Sequence, residues 1–145
     1  MGQKVSDSVT IAASQRTVFD TITDLDAYPT WAEGVEEAEV LETDGDGRPS
    51  RARFRVDAKV VEVRYTLAYD YDGTDVVSWT LIEGETITQL DGRYVLEPRD
   101  EGTTHVTYDL EADVDIPLPG FMKKRAAKQI LDTGLKGLKR RAESA

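Results

Sequence analysis

Residues 103–142 read TTHVTYDLEADVDIPLPGFMKKRAAKQILDTGLKGLKRRA. In the first part Val106, Tyr108, Leu110, Ala112 and Val114 alternate with Thr107, Asp109, Glu111 and Asp113. A period of two marks a strand with one apolar face. Beyond Ile116-Pro117-Leu118-Pro119-Gly120 the spacing changes. Phe121, Ala127, Ile130, Leu131, Gly134, Leu135 and Leu138 make a helical stripe that runs to about Ala142. Such a helix has about 20 residues and is ~30 Å long. It is the only segment long enough to cover the apolar side of the strands before it.

Upstream, the period of two recurs. Val35–Thr43, Ser50–Asp57, Val60–Tyr71, Val76–Ile82 and Thr86–Glu97 read as strands joined by turns at Asp44-Gly45-Asp46-Gly47, Asp72-Gly73 and Glu83-Gly84-Glu85. Asp91-Gly92 interrupts the last of these and predicts a bulge. Ala52, Phe54 and Val56 face inward, as do Val61, Val63, Tyr65, Leu67 and Tyr69; Arg51, Arg53, Arg55 and Arg64 face outward. At the N-terminus Val5, Val9 and Ile11 form a further strand. Ser14 follows as the N-cap of a short helix over Gln15–Thr23, and Asp24 or Asp26 can cap a second turn near Ala27–Ala32. Six consecutive strands with short connections predict an antiparallel meander. The expected fold is α+β: one domain over residues 1–145, a seven-stranded curved antiparallel sheet wrapped around a long C-terminal helix, and two short helices after the first strand. Side chains of one helix do not fill the volume such a sheet encloses, so a cavity is expected between them.

Composition removes several function classes. The 145 residues include no cysteine, which excludes disulfides, thiol catalysis and thiolate zinc sites. His105 is the single histidine, and its parity on the last strand points outward, so the usual general base is missing. No apolar run approaches the ~18 residues of a membrane helix. The polar, alternating N-terminus does not read as a signal peptide, and a cytoplasmic protein is expected. Net charge is −10, yet residues 117–145 carry 8 Lys/Arg against 2 Asp/Glu. The acidic body would repel phosphate backbones, so nucleic acid is not an expected partner. Asp44/Asp46 and Asp70/Asp72/Asp75 lack the spacing of a calcium loop and read as turns. Gly45 and Gly47 lack the lysine and helix start of a phosphate loop. Glu36, Glu37, Glu39 and Glu42 read as a charged edge strand. No metal or cofactor is expected.

The order strand, two helices, six strands, helix is joined by four local segments: Asp24-Leu-Asp-Ala-Tyr28-Pro29-Thr-Trp31; Ser78-Trp79-Thr-Leu81 followed by Glu83-Gly84; Gly92-Arg-Tyr94-Val-Leu96-Glu-Pro98; and Ile116-Pro-Leu-Pro-Gly120-Phe121. Together they resemble the START-like superfamily over nearly the whole chain, and within it the bacterial polyketide cyclase/dehydrase-like and coenzyme-Q-binding proteins. The resemblance implies a helix-grip fold with a deep hydrophobic cavity that takes lipids, quinones, polyketides or sterol-like molecules. In the aromatase/cyclases of that superfamily a buried arginine is the usual catalytic suggestion. No arginine here has inward parity.

The candidate cavity lining from the strands and the short helices is Tyr28, Trp31, Phe54, Val63, Tyr65, Trp79, Leu81, Tyr94 and Tyr108. The helix contributes Phe121, Ile130 and Leu131. Ordinary core packing is the competing reading of these aromatics; the two differ in whether the hydroxyls have protein partners. The expected function is binding of a small lipophilic ligand in this cavity. The alternative is a polyketide aromatase/cyclase or dehydratase acting in the same space, with no catalytic residue assigned. The basic side of the last helix (Lys123, Lys124, Lys128, Lys136, Lys139, Arg140, Arg141) is either a solvated face or a weak contact for an acidic partner or anionic lipid. No stable membrane insertion is expected.

Overall fold

The computed structural model of the chain describes residues 2–57 and 62–145. In chain order it contains β1 (Gln3–Ile11), α1 (Gln15–Thr23), a 3-10 turn at Leu25–Ala27, α2 (Tyr28–Trp31), β2 (Val35–Thr43), β3 (Pro49–Asp57), β4 (Glu62–Asp72), β5 (Val76–Glu85), β6 (Ile87–Pro98), a second 3-10 turn at Asp100–Gly102, β7 (Thr104–Val114) and α3 (Gly120–Glu143). The seven strands form one antiparallel sheet in the order β1-β7-β6-β5-β4-β3-β2. The predicted start of the fourth strand at Val60 and the inward Val61 lie outside the described residues.

Local signals explain most element ends. Ser14 caps α1: its hydroxyl accepts from the Thr17 N–H at 3.2 Å. Neither Asp24 nor Asp26 caps the second helical turn with a side chain; Pro29 in the first turn of α2 removes one of the donors that would need a cap. Two turns differ from expectation. The expected turn at Glu83–Glu85 belongs to β5, and the reversal falls on Thr86, which has a φ of 73°. No bulge lies at Asp91-Gly92; β6 stays in register with β7 there, and the shift comes at Ile87/Gln89. The β5–β6 register instead ends at Trp79–Gly92, and beyond it the Asp91 carboxylate accepts from the Leu81 N–H at 3.1 Å. A side chain has replaced the strand partner.

The helix α3 rests on β1 and β7, with α1 at its other contact. Its seat is the row Ala127, Leu131, Leu135, Leu138 and Ala142, all buried. Polar ties fix its position along that edge. Lys123 Nζ lies 3.0 Å from Asp113 Oδ1, Lys128 Nζ 3.2 Å from Asp7 Oδ2, and Lys139 Nζ donates to the Thr10 carbonyl at 2.9 Å. Glu143 accepts from the Ala12 N–H at 2.8 Å.

Two residues of the expected stripe do not join the seat: Phe121 is 66% exposed and Ile130 46%. Geometry gives the reason. At about 100° per residue, Phe121 shares the flank of Lys128 and Lys139, which reach over β1. Phe121 is therefore removed from the inward set. Ile130 falls on the opposite flank with Gly134 and Gly137, beside the contact rather than in it.

The outer face of the sheet carries charge. Glu37, Glu39 and Glu42 stand across from Arg55, Arg53 and Arg51 in the β2–β3 register, and each pair is bridged. Arg64 pairs with Glu62 at 3.1 Å. All four arginines face outward, as their parity requires. His105 is also on the outer face, 3.3 Å from Thr10 Oγ1, but it is half-buried rather than exposed because β7 is an interior strand.

The seat predicts an asymmetry between adjacent helix positions. Leu131→Ala should lower the urea-unfolding free energy by about 2–5 kcal/mol, and Ile130→Ala by less than about 0.5 kcal/mol. Equal losses would contradict this placement of α3.

Candidate functional site

From β3 to β7 the inner face of the sheet carries rings, joined by others from α1 and α2. They form two chains. One runs Trp31–Tyr28–Phe54–Tyr65, with centroid separations of 5.0, 6.2 and 5.3 Å. The other runs Phe19–Tyr71–Tyr69–Trp79–Tyr94–Tyr108, with separations of 6.0, 6.5, 6.2, 5.3 and 4.5 Å. Strand parity explains the grouping: Tyr65, Tyr69 and Tyr71 alternate along β4, and Trp79, Tyr94 and Tyr108 come from adjacent strands. Tyr94 and Tyr108 are register partners, and so are Tyr69 and Trp79.

Glycines make room for these rings. A Cβ on Gly92 would lie 2.6 Å from the Trp79 ring and 2.9 Å from the Asp109 carbonyl, so the indole lies directly over bare backbone. A Cβ on Gly134 would come within 3.2 Å of the Tyr108 ring. Gly137 faces Trp31, where the corresponding distance is 3.6 Å. Two glycines inside a helix each cost about 1 kcal/mol against alanine. At Gly134 the close approach of Tyr108 accounts for that cost.

The hydroxyls separate into two groups. Tyr28 donates to the Ile22 carbonyl at 2.5 Å and Tyr71 to the Pro49 carbonyl at 2.6 Å. Arg48 also stacks on the Tyr71 ring, 4.6 Å from its centroid. The hydroxyls of Tyr65, Tyr69, Tyr94 and Tyr108 make no hydrogen bond to any described residue. Every fully enclosed polar side-chain atom among the described residues does have a partner. The four free hydroxyls are therefore not enclosed; they open onto space. Burial nevertheless raises the pKa of all four, and the neighbouring tyrosines add to the shift at Tyr69, Tyr94 and Tyr108. Each of these oxygens therefore has room beside it for a water or a ligand oxygen, although most of its ring is buried.

The remaining expected lining residues spread around this group. Phe54 and Val63 are buried, Leu81 is half-buried beside Leu67, and Leu131 is fully enclosed in the helix seat. Tyr28 and Trp31 close one end. Two open depressions of about 340 Å³ each flank Trp31. One is lined by residues 29–36 with Asp57; the other includes Thr17, Asp20, Asp24 and Arg141. Neither reaches Tyr65, Trp79, Tyr94 or Tyr108. Sequence reasoning left Tyr69 off the lining, although its parity with Tyr65 was sufficient to add it. It also missed Gly92, whose role depends on which ring lies opposite. No cluster of three or more His, Asp or Glu side chains among the described residues is arranged to hold a metal ion.

Comparison with known proteins bears on this geometry. The family model described as "Polyketide cyclase / dehydrase and lipid transport" matches residues 2–143. The chain belongs to this family. A START superfamily protein from Mycobacterium smegmatis is similar at 30% identity, with 99% of each chain covered and a TM-score of 0.91. The Zhui aromatase/cyclase from Streptomyces sp. R1128 shares the fold at 18% identity, over 99% of this chain and 94% of that one, with a TM-score of 0.81. A protein from Thermus thermophilus does so at 23% identity, over 97% of each chain, with a TM-score of 0.81. No curated protein matches the sequence. For this member, the START fold accounts for a helix that grips one edge of a sheet and leaves the rest to aromatic side chains.

The phenols also set the alkaline limit of stability. All six tyrosines of the chain have raised pKa values. Below the unfolded value of about 10 both states hold the protons and stability is unaffected. Above it the unfolded chain ionises first, so stability falls with rising pH, by roughly 1.4 kcal/mol per pH unit for each tyrosine kept neutral. Tyr69→Phe and Tyr94→Phe should each flatten that fall. Absorbance at 295 nm should show the phenols ionising together with unfolding; gradual ionisation near pH 10 in the folded protein would contradict the burial.

Proposed function

We propose that the protein binds a small lipophilic ligand in the space between the curved sheet and α3. Tyr28, Trp31, Phe54, Tyr65, Trp79, Tyr94 and Tyr108 line the site, with Tyr69 added to them and Ile130 at its helix side. The observation that carries this reading is the set of four tyrosine hydroxyls that no described residue bonds. A desolvated hydroxyl without a partner costs about 1–3 kcal/mol, and a ligand oxygen or a water recovers it. The rings supply the apolar walls. A ligand burying roughly 300 Å² of apolar surface gains about 7 kcal/mol before the cost of immobilising it. Membership of a family described by lipid transport and polyketide cyclisation supports the same ligand chemistry.

Cyclase or dehydratase activity in the same space is the second reading, and the fold shared with an aromatase/cyclase favours it. Such chemistry here would have to run on phenol donors, holding an enolate oxygen while the ring walls fold the chain. Arg51, Arg53, Arg55 and Arg64 are engaged on the far side of the sheet. An acidic partner on the basic side of α3 draws no support from the contacts, because Lys123, Lys128 and Lys139 are held by the chain's own Asp113, Asp7 and Glu143. No described helix is long and apolar enough to cross a membrane.

A panel of quinones, sterols, fatty acids and aromatic polyketides, followed by tryptophan fluorescence and thermal shift, tests the reading. At least one class should quench Trp79 saturably and raise Tm by several degrees at about 100 Kd. Trp79→Phe should remove the Trp79 share of the quenching and leave that of Trp31, while the retained ring preserves most of the Tm shift. Absence of saturable binding by every class would contradict the proposal.

A further inference from the structure

Burial and neighbouring phenols act on the hydroxyls of Tyr65, Tyr69, Tyr94 and Tyr108, and no charged side chain among the described residues does. The strands contribute Phe54 from β3, Tyr65 and Tyr69 from β4, Trp79 from β5, Tyr94 from β6 and Tyr108 from β7. The α3 side contributes Gly134 and Gly137. Charges stand at the margins: Arg141 of α3, on the helical flank of Gly134 and Gly137, lies with Asp20 and Asp24 around the depression beside Trp31. Asp24 acts on Tyr28, and Asp44 and Arg48 act on Tyr71, yet both of those hydroxyls are already committed to backbone carbonyls. Lys123, where α3 begins, is held by Asp113 and the Val114 carbonyl. His105 and Arg93 are on the outer face of the sheet, the latter paired with Asp109 at 2.9 Å.

This arrangement treats polar and charged ligand atoms differently. A phenol donates one hydrogen bond and accepts others, which suits carbonyl, hydroxyl and ether oxygens. A carboxylate entering the same space loses its hydration and meets no cation, which is costly unless the group takes up a proton. Resting on the binding reading above, we propose that the site selects uncharged ligands bearing two or more carbonyl or hydroxyl oxygens, and admits a carboxylic acid only in its protonated form. Tyr65, Tyr69, Tyr94 and Tyr108 determine this specificity by supplying the oxygen partners, and the lack of a described cation beside those four hydroxyls sets the selection against anions.

Three probes of one shape test it: a naphthoquinone carrying a carboxymethyl group, its methyl ester, and a naphthalene of the same size without oxygens. Dissociation constants are measured on the intact protein by calorimetry from pH 5 to pH 8. The ester should bind with constant affinity. The acid should weaken about tenfold for each pH unit above its own pKa, and so fall more than 100-fold behind the ester at about pH 7. Tyr94→Phe and Tyr108→Phe should each weaken the ester about fivefold to tenfold, leave the naphthalene unchanged, and keep Tm within a few degrees of the parent. Acid binding within threefold of the ester at pH 7 overturns the selection against charge. Equal affinity for ester and naphthalene, with no response to the tyrosine variants, overturns the oxygen selection. Either result leaves the binding reading standing. Failure of all three probes, the naphthalene included, overturns this selection, and failure of the wider ligand panel as well removes the binding reading with it.

Discussion

A helix about 10–12 Å across laid on strands about 4.8 Å apart covers two of them. That width is the constraint from which the rest of the molecule follows. The sheet has seven strands, and α3 is the only long helix among the described residues. Seated through Leu131, Leu135 and Leu138 and tied by Lys123, Lys128 and Glu143, it covers β1 and β7. Five strands must cover their inner faces in another way. Curvature brings them round, α1 and α2 close one end, and large rings reach across what remains.

The rings bring polar atoms inward with them. Phenylalanine at positions 65, 69, 94 and 108 would build a drier core with nothing left unbonded. Tyrosine at all four leaves hydroxyls that no described residue bonds, while Tyr28 and Tyr71 show how readily the fold uses one where a backbone carbonyl is near. The contrast between bonded and unbonded phenols within one interior identifies the candidate site. Charge is distributed in the opposite sense. The arginines of β3 and β4 are spent on a ladder of glutamates outside the sheet, and the interior is left polar but neutral.

Much of this was legible in the sequence. Strand parity is rigid, so it placed Tyr65, Trp79, Tyr94 and Tyr108 on one face and Arg51, Arg53, Arg55 and Arg64 on the other, and it also carried Tyr69, which the candidate lining left out. Helical periodicity was less exact. It marks a face but not its width, nor how far the helix overhangs its seat, so Phe121 and Ile130 were counted inward although one overhangs β1 and the other stands beside the contact. Features set by a contact distant in sequence were not legible. The Asp91 carboxylate takes the place of a strand partner at Leu81, and Gly92 is needed because the Trp79 indole crosses it. Parity put His105 on the outer face but could not give its burial there, which depends on neighbouring strands.

A high-resolution crystal structure of the protein without added ligand tests the space beside the free phenols most directly. It should show ordered water or a carried-over molecule within about 3.2 Å of the hydroxyls of Tyr65, Tyr69, Tyr94 and Tyr108. Those four hydroxyls bonded to one another or to backbone carbonyls, in an interior packed to ordinary density, would contradict it.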